Sequence, residues 1–340
     1  MPWRSRISLI MSDSAARILE ELVQNRGFCS GEELSGALGI SRSAVWKHIS
    51  QLRRDGYGIE AVKGKGYRLQ VSPGYPDALE TGRFLHTSTL GCRIEHHRSV
   101  MSTNAQARKL AREGAPEGLV VTADAQTGGR GRMQRVWHSP PGVNLYFSIV
   151  LRPPVPPRVV PQIPLLAAAA LHTALASVAG GVDLRIKWPN DILAGGRKLC
   201  GVLCEMESEA DMTHVVIVGI GVNVNLRDLP PEIEGLATSL LLEAGYEFSR
   251  PELLALILND FEPLYRRWLE VRDLSPVLGY LEEHSWLRGK QVEVDQYGRR
   301  LKGVAAGISP TGELLLDMPD GSQTMVSSGE THLIPDNERT

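Results

Sequence analysis

A loop rich in glycine and arginine is the first stretch of the chain whose residue types suggest chemistry. Residues 126–137 read Gln-Thr-Gly-Gly-Arg-Gly-Arg-Met-Gln-Arg-Val-Trp. Glycines let backbone N–H groups approach a ligand closely, and arginines supply fixed positive charge with paired donors. The loop has neither the spacing of a Walker loop nor the third glycine of a dinucleotide fingerprint. It predicts an anion site, although such a run alone also fits a solvated or nucleic-acid-binding loop.

Three further segments place polar or basic residues beside apolar, strand-like runs. They are Ser102-Thr103-Asn104, Lys187-Trp188-Pro189-Asn190-Asp191 followed by Arg197-Lys198-Leu199-Cys200-Gly201, and Gly219-Ile220-Gly221-Val222-Asn223. Gly201 permits close backbone approach within a strand that is otherwise apolar. Because these segments add lysines, amides and hydroxyls, they favour the anion-site interpretation of the glycine-arginine loop.

The elements that must position these residues form a predicted α/β or α+β domain over residues 77–270, where short apolar runs alternate with helical stretches. We expect strands at 119–123, 144–151, 184–188, 199–206 and 215–224, and helices at 164–179 and 251–269. His172 and His214 fall in such elements and are interpreted as structural. From residue 289, closely spaced strands with Gly and Pro turns predict a small β-barrel of the SH3-like kind.

The N-terminal residues predict a helix-turn-helix. Apolar residues within 18–23 share one helical stripe, and Ser30 with Glu33 forms the pattern of a capping box that opens a second helix. Ser41 is placed to cap a third helix over residues 42–54, whose Val45, Ile49 and Leu52 repeat with helical spacing.

The outward face of this third helix carries groups that suit phosphates and base edges: Arg42, Ser43, Trp46, Lys47, Ser50 and Arg53. Two alternating runs follow, around a glycine-permitted tip that holds Lys63 and Lys65. This pattern predicts a winged helix-turn-helix that binds DNA. The alternative is a winged helix that binds protein and has a solvated basic face.

Composition and charge agree with a soluble protein of several domains. The 340 residues are 42% hydrophobic and 22% charged, which excludes disordered and collagen-like chains. Residues 1–76 hold 11 Lys/Arg against 7 Asp/Glu, a balance of +4, and the remainder holds 26 against 32, a balance of −6. A small basic module on a larger acidic body suggests an appendage that binds a polyanion.

The location and the metal content follow from what the sequence lacks. We recognise neither a signal peptide nor an apolar run of about 20 residues, so we expect a cytoplasmic protein without membrane contact. The four cysteines agree with a compartment that keeps thiols reduced, Cys200 and Cys204 are interpreted as buried structural thiols, and we predict no metal site in the protein. Translation starts at Met1 or, equally plausibly, at Met11.

In their order along the chain, these motifs resemble those of biotin protein ligases. With the winged helix in front, the whole chain resembles the bifunctional biotin ligases that also repress biotin operons. The resemblance implies an α+β chain with a winged helix-turn-helix over residues 1–74 and a central mixed-sheet α/β ligase domain of the class II synthetase type over 75–286. An SH3-like β-barrel over residues 287–340 completes it.

The implied reaction is a two-step transfer. Biotin and ATP, with Mg²⁺, give biotinoyl-5′-AMP and pyrophosphate, and the acceptor lysine of a biotin carboxyl carrier protein then takes the biotin. The adenylate also serves as corepressor, so that a ligand-linked homodimer binds operator DNA. Positive side chains suit the first step, since the biotin carboxylate and the α-phosphate of ATP repel each other.

The resemblance also carries residue roles onto this chain. Three residues are expected to act in catalysis: Arg132, Lys187 and Lys198. The expected biotin or adenylate contacts are Ser102, Thr103, Asn104, Gln126, Gly129, Arg130, Gly131, Arg132, Lys198, Gly201 and Asn223. The chain departs from the family at Met101, where Asp is common, and at Gln134, where Gly is common.

Two other functions remain open from sequence. A lipoate-type ligase performs the same adenylation on another acid, but the DNA-binding module and the pocket motifs count against it. A non-catalytic regulator that senses biotin or an adenine nucleotide would bind DNA without biotin-dependent ATP–pyrophosphate exchange.

Overall fold

The structure is a computed structural model that describes residues 13–25, 27–296 and 298–334. Both candidate start residues, Met1 and Met11, lie outside the described residues, as does Tyr297 in one of the predicted C-terminal turns.

The N-terminal module consists of three helices and a hairpin: α1 (Asp13–Gln24), α2 (Gly31–Leu38), α3 (Arg42–Arg54), β1 (Gly58–Val62) and β2 (Gly66–Val71). The predicted capping box is confirmed, because the Glu33 amide donates to Ser30 Oγ at 3.0 Å and the Ser30 amide donates to Glu33 Oε2 at 2.7 Å. Val45, Ile49 and Leu52 are buried on the inner face of α3, as their spacing predicts.

The central domain is built on a mixed sheet of seven strands among the described residues: β3 (Arg93–Val100), β4 (Leu119–Gln126), β5 (Leu145–Leu151), β6 (Leu184–Lys187), β7 (Asp191–Ala194), β8 (Arg197–Ser208) and β9 (Thr213–Val222). Their order is β3-β4-β5-β9-β8-β7-β6; β3 runs parallel to β4, and the other neighbours are antiparallel. The sequence analysis missed β3, since this edge strand is largely polar.

Helices cover both faces of this sheet. The large core lies on one face, where α6 (Ile163–Val178) packs against α8 (Arg250–Val271). The unpredicted helix α5 (Thr103–Arg112) covers the other face, and its Ala107 and Ala111 pack against a smaller cluster that includes Val121 and Val150. Three short helices complete this part: α4 (Ala78–Gly82), α7 (Leu240–Ala244) and α9 (Leu278–Glu283).

The core helix is more apolar than the sequence analysis recognised. Within the described residues, one helical stretch, Pro157–Val178, is long and apolar enough to cross a membrane, and 72% of its apolar 18-residue window is buried inside the protein. This stretch is α6 with the turn before it, so its apolar surface is covered by the sheet and by α8.

The C-terminal strands form a separate antiparallel sheet, five-stranded in the part of the chain that is described: β10 (Gln291–Gln296), β11 (Arg299–Ile308), β12 (Leu314–Asp317), β13 (Gln323–Val326) and β14 (Glu330–Leu333). Its order is β13-β12-β11-β10-β14. The apolar residues of this sheet join the same continuous core as α6 and α8. Trp188 Nε1 also donates to the Gly312 carbonyl at 2.9 Å, so the sheet is firmly docked on the central domain.

Candidate active site

A cavity of about 390 Å³ opens where the polar segments meet at one end of the central sheet. The end of β4, the glycine-arginine loop, the start of α5 and strands β6 to β9 surround it, and residues 329–332 close it from the C-terminal sheet. Arg132, Lys187 and Lys198 all line this cavity. Residues that are far apart in the sequence therefore share one site.

A row of residues in register across four strands forms the floor of the cavity. Lys187 pairs with Asp191, Asp191 with Gly201, and Gly201 with Gly221. A Cβ atom on Gly221 would lie 2.6 Å from Cε2 of Trp137, and one on Gly201 would lie 3.1 Å from its Cζ3. The two glycines therefore allow the indole of Trp137 to lie directly on the sheet.

Trp137 is a cavity residue that the sequence analysis left without a role. Its Nε1 atom is buried and has no hydrogen-bond partner among the described residues. The sequence feature that could have identified Trp137 was its position as an aromatic residue at the end of the basic loop. The register of the two glycines beneath it could not be known before the strand pairing.

The two lysines share one carboxylate. Lys198 Nζ lies 2.8 Å from Asp191 Oδ2 and 5.5 Å from the centre of the Trp137 ring. Burial lowers the pKa of Lys187; the charge of Asp191 opposes this effect and the charge of Lys198 adds to it. Asp191 Oδ1 is buried without a hydrogen-bond partner in the described part of the chain. The cavity therefore holds two cations close enough to interact, and the carboxylates of Asp191 and Glu330 supply the opposing charge.

The loop arginines are held by the C-terminal sheet. Arg132 Nη1 donates to the Gly329 carbonyl at 3.4 Å, and Arg135 Nη2 lies 2.6 Å from Glu330 Oε2. The loop itself is a small hairpin, in which the Trp137 amide donates to the Gly129 carbonyl. Within the loop, the Arg130 guanidinium donates to Gln134 Oε1. The loop arginines are thus paired with acceptors of the protein.

A buried polar network forms the other wall. The Thr103 amide donates to Gln126 Oε1 at 2.9 Å, and Gln126 Nε2 donates to Ser139 Oγ at 3.1 Å. Ser139 Oγ in turn donates to the Trp137 carbonyl at 2.9 Å. The side chain of Gln126 is therefore fixed at both ends. The sequence analysis did not identify Ser139, which joins the loop to this network.

Asn104 packs against the sheet, and its amide is occupied by the protein. Its Oδ1 accepts from Ser148 Oγ at 2.6 Å, and its Nδ2 donates to Glu205 Oε2 at 2.7 Å. A Cβ atom on Gly219 would lie 2.0 Å from Asn104 Oδ1, so glycine is required beneath it. Asn104 lines the cavity as a rigid wall.

The remaining predicted contacts differ in their placement. Ser102, Arg130, Gly131, Gly201 and Asn223 line the cavity. Among the described residues, Gly129 does not line the cavity. A Cβ atom at this position would lie 2.7 Å from Ser139 Oγ, so close packing against Ser139 explains why the residue is a glycine. Asn223 Nδ2 donates to the Thr238 carbonyl at 3.0 Å, which leaves its amide engaged within the protein.

The predicted DNA face is largely exposed. Arg42, Ser43, Trp46 and Lys47 project from α3, and Lys63 and Lys65 lie at the exposed tip of the β1–β2 hairpin. Ser50 is half-buried. Arg53 differs from its neighbours, because its Nε and Nη2 donate to the Ile59 carbonyl at 2.9 and 2.6 Å. Arg53 therefore fastens the hairpin to α3.

Residues interpreted as structural have structural partners. His172 hydrogen-bonds with the Tyr280 hydroxyl and the Leu184 carbonyl. Cys200 is buried as predicted, whereas Cys204 is only partly buried, and desolvation raises the pKa of both thiols. His214 is exposed and lies 3.2 Å from Glu209. Over residues 13–25, 27–296 and 298–334, no group of three or more His, Cys, Asp or Glu is placed to hold a metal ion.

Comparisons with known proteins agree with the three-part organisation. The sequence profile of the Biotin/lipoate A/B protein ligase family matches residues 96–223. That of an HTH domain matches residues 15–68, and that of the Biotin protein ligase C terminal domain matches residues 288–331. The ligase match contains the glycine-arginine loop and both cavity lysines.

The likeness extends over nearly the whole chain. This chain is 41% identical over 322 residues to the bifunctional ligase/repressor BirA of Bacillus subtilis, and the match covers 94% of this chain and 98% of that protein. It is 30% identical to BirA of Escherichia coli, covering 92% and 95%. The structure of the biotin protein ligase from Aquifex aeolicus in complex with biotin and ATP matches with a TM-score of 0.62 at 29% identity, covering 71% of this chain and 98% of that chain. This chain belongs to the BirA family of bifunctional ligase/repressors.

Proposed function

We propose that the chain activates biotin with ATP in the cavity, transfers it to the lysine of a biotin carboxyl carrier protein, and represses transcription through its N-terminal module. The observation that carries the proposal is the position of Arg132, Lys187 and Lys198 around one cavity whose other wall holds Thr103 and Gln126. A site with cations on one side and fixed polar groups on the other suits an anionic nucleotide and a neutral polar ring.

In the first step, the biotin carboxylate attacks the α-phosphate of ATP, which enters as its magnesium complex. A carboxylate–phosphate bond forms, and the bond to the β-phosphate breaks to release pyrophosphate. Arg132, Lys187 and Lys198 offset the repulsion between the two anions and stabilise the charge that grows on the phosphoryl oxygens. Because the biotin carboxylate is itself the nucleophile, no protein side chain has to attack.

In the second step, the carrier lysine attacks the carbonyl of the mixed anhydride and AMP leaves. The anhydride hydrolyses readily, so the site must exclude water until the carrier arrives. The loop from Gly129 to Trp137 is suited to this role, because it spans the cavity and is hydrogen-bonded to both the polar network and the C-terminal sheet.

The polar wall is assigned to the biotin head group. Ser102, Thr103 and Gln126 supply the hydroxyl and amide groups that a ureido ring requires. The cavity volume of about 390 Å³ falls within the usual range for small-molecule sites. Asn104 and Asn223 are assigned to the wall, where they hold their neighbours in place.

The finer architecture is proposed as follows. The β1–β2 hairpin after α3 acts as the wing of a winged helix-turn-helix over residues 1–74, the central domain over 75–286 has the class II synthetase-like mixed sheet, and residues 287–340 form an SH3-like barrel. The exposed lysines at the hairpin tip and the strand order of the C-terminal sheet support this description. The protein is assigned to the cytoplasm.

Repression is proposed to use operator DNA, with biotinoyl-5′-AMP as the corepressor of a homodimer. The exposed face of α3 presents Arg42, Trp46 and Lys47, and the hairpin tip adds two lysines. A helix of this size with such groups fits the major groove. A non-catalytic sensor would share this module, but only the ligase performs biotin-dependent ATP–pyrophosphate exchange. A lipoate-type ligase would perform the exchange with lipoate in place of biotin.

Replacing Lys198 by alanine tests the active site. Lys198→Ala is expected to slow biotin-dependent ATP–pyrophosphate exchange by about 100-fold or more, as is typical when one charge-stabilising donor is removed. Lys109→Ala, a change to a surface lysine paired with Glu113, serves as the matched control and should exchange normally. Wild-type rates of exchange and carrier biotinylation in Lys198→Ala would refute the site assignment.

The lowered pKa of Lys187 predicts a pH effect. Lys187 is charged below its pKa, so adenylation should decline as the pH rises through that value, at lower pH than an ordinary lysine would cause. Arginine stays protonated in proteins, so Lys187→Arg should shift the decline in kcat/KM for adenylation to higher pH. Superimposable profiles for the two proteins would show that Lys187 does not set this decline.

The DNA face is tested through salt dependence. Lys47→Ala is expected to lower the slope of log affinity against log salt by about one for double-stranded DNA of unrelated sequence, since one phosphate contact is removed. Arg54→Ala, on the same helix but outside the predicted face, is the control and should keep the slope. Arg53 is avoided, because it holds the hairpin. Equal slopes in Lys47→Ala and wild type would count against this face.

Dimerisation is tested by sedimentation velocity. Biotin with magnesium-ATP is expected to shift the wild-type protein from monomer to dimer, whereas biotin alone should have a smaller effect. Lys198→Ala, which should not form the adenylate, is the control and should remain monomeric under the same conditions. A wild-type protein that makes adenylate and stays monomeric would rule out the corepressor scheme.

A further inference from the structure

A buried arginine at the start of α8 joins three separate parts of the chain. Arg250 Nη1 lies 2.9 Å from Asp124 Oδ1 on β4 and also donates to the Asn144 carbonyl, just before β5, at 3.3 Å. Its Nη2 donates to the Gly74 carbonyl at 3.0 Å. Arg250 and Asp124 are each only 5% exposed. A planar guanidinium can span these acceptors, whereas a lysine amine cannot.

The hydrogen bond from Arg250 to the Gly74 carbonyl connects Arg250 to the segment that follows the N-terminal module. Gly74 lies in the segment between β2 and α4, and Pro76 of this segment accepts from Thr122 Oγ1 of β4 at 2.8 Å. Two residues after α4's N-cap Asp77, Leu79 packs in the core of the N-terminal module. A shift of this linker therefore moves residues that the DNA-binding module packs against.

The other two partners of Arg250, Asp124 and Asn144, each connect it to the cavity. Asp124 lies two residues before Gln126 on β4, and Gln126 belongs to the polar wall. Asn144 Nδ2 donates to Asn223 Oδ1 at 3.4 Å, and Asn223 lines the cavity. Arg250 is itself described in the structure, but it is not one of the residues that line the cavity. It can affect the ligand only through these neighbours.

We propose that Arg250 is a positioning residue that couples occupation of the cavity to the linker of the DNA-binding module. This inference rests on the proposed function, because it needs a ligand in the cavity and a regulatory N-terminal module. A ligand in contact with Gln126 and Asn223 further restricts these already hydrogen-bonded side chains and, through them, Asp124 and Asn144, so that Arg250 holds the Gly74 carbonyl more firmly. Because such coupling is reciprocal, fixing the linker must also favour ligand binding.

The test is hydrogen exchange of the full chain with and without saturating biotin and magnesium-ATP. In the wild type, amides in peptides covering 126–137 and 70–80 should both slow, the latter by about fivefold or more, as expected for an ordinary coupling free energy. Arg250→Lys keeps the positive charge beside Asp124 but loses the planar guanidinium that also donates to the Asn144 and Gly74 carbonyls. It should retain the slowing at 126–137 and lose that at 70–80.

Arg98→Lys is the matched control. Arg98 touches the same linker, with its guanidinium 4.0 Å from the centre of the Tyr75 ring, but it is exposed and outside the described residues that line the cavity. This variant should loosen the linker equally with and without ligand and keep the ligand response. If Arg250→Lys fails to fold, Asp124→Asn keeps the shape of the acceptor, weakens the same contact and should reduce the response at 70–80.

Three results would overturn the inference. One is a full ligand response at 70–80 in Arg250→Lys, and a second is a wild-type response at 126–137 with none at 70–80. The third is the loss of the response in Arg98→Lys as well, since any linker contact would then suffice. An absence of slowing at 126–137 in the wild type would instead refute biotin and ATP as ligands of the cavity, and the coupling with them.

Discussion

The structure depends on holding several positive side chains together in a partly buried cavity. Like charges at short range repel, and burial also disfavours the charged state, as the lowered pKa of Lys187 reflects. The protein limits both effects with a small number of acceptors. Asp191 pairs with Lys198, and Glu330 pairs with Arg135. In the proposed reaction the phosphates of ATP replace these acceptors, and the cations are already gathered around the cavity to receive them.

The same constraint explains why three parts of the chain are needed. The lysines come from β6 and β8, which flank β7 in the central sheet, the arginines come from a loop, and the acceptor for the loop comes from the C-terminal sheet. The C-terminal sheet is therefore more than a cover. By sharing the core of the central domain, it fixes Gly329 and Glu330 at the mouth of the cavity. A loop that is rich in glycine would otherwise have many conformations, and a fixed anchor reduces the entropy lost on ligand binding.

Local patterns in the sequence were sufficient for the helices of the N-terminal module and for five of the seven described central strands, because capping residues and apolar periodicity act over a few residues. Their agreement with α2 and α3 extends to the hydrogen bonds of the capping box. The polar elements β3 and α5 were missed because their stability comes from packing on the sheet. The site was predictable as a set of motifs through resemblance. The packing of Trp137 on Gly201 and Gly221 could not be predicted, because it depends on the register between β8 and β9.

The two departures from the family pattern have different consequences. Gln134 adopts a φ of 61°, in the left-handed region where glycine is favoured, so glutamine adds strain there. Its side chain accepts from Arg130, which offsets part of this strain and fixes an arginine of the loop. Met101 cannot cap α5, and the Ser102 side chain makes no cap hydrogen bond in the described structure. The Thr103 amide instead donates to Gln126. In this chain the start of α5 is therefore capped by a residue of the polar wall, so that the helix and the cavity are ordered by the same hydrogen bond.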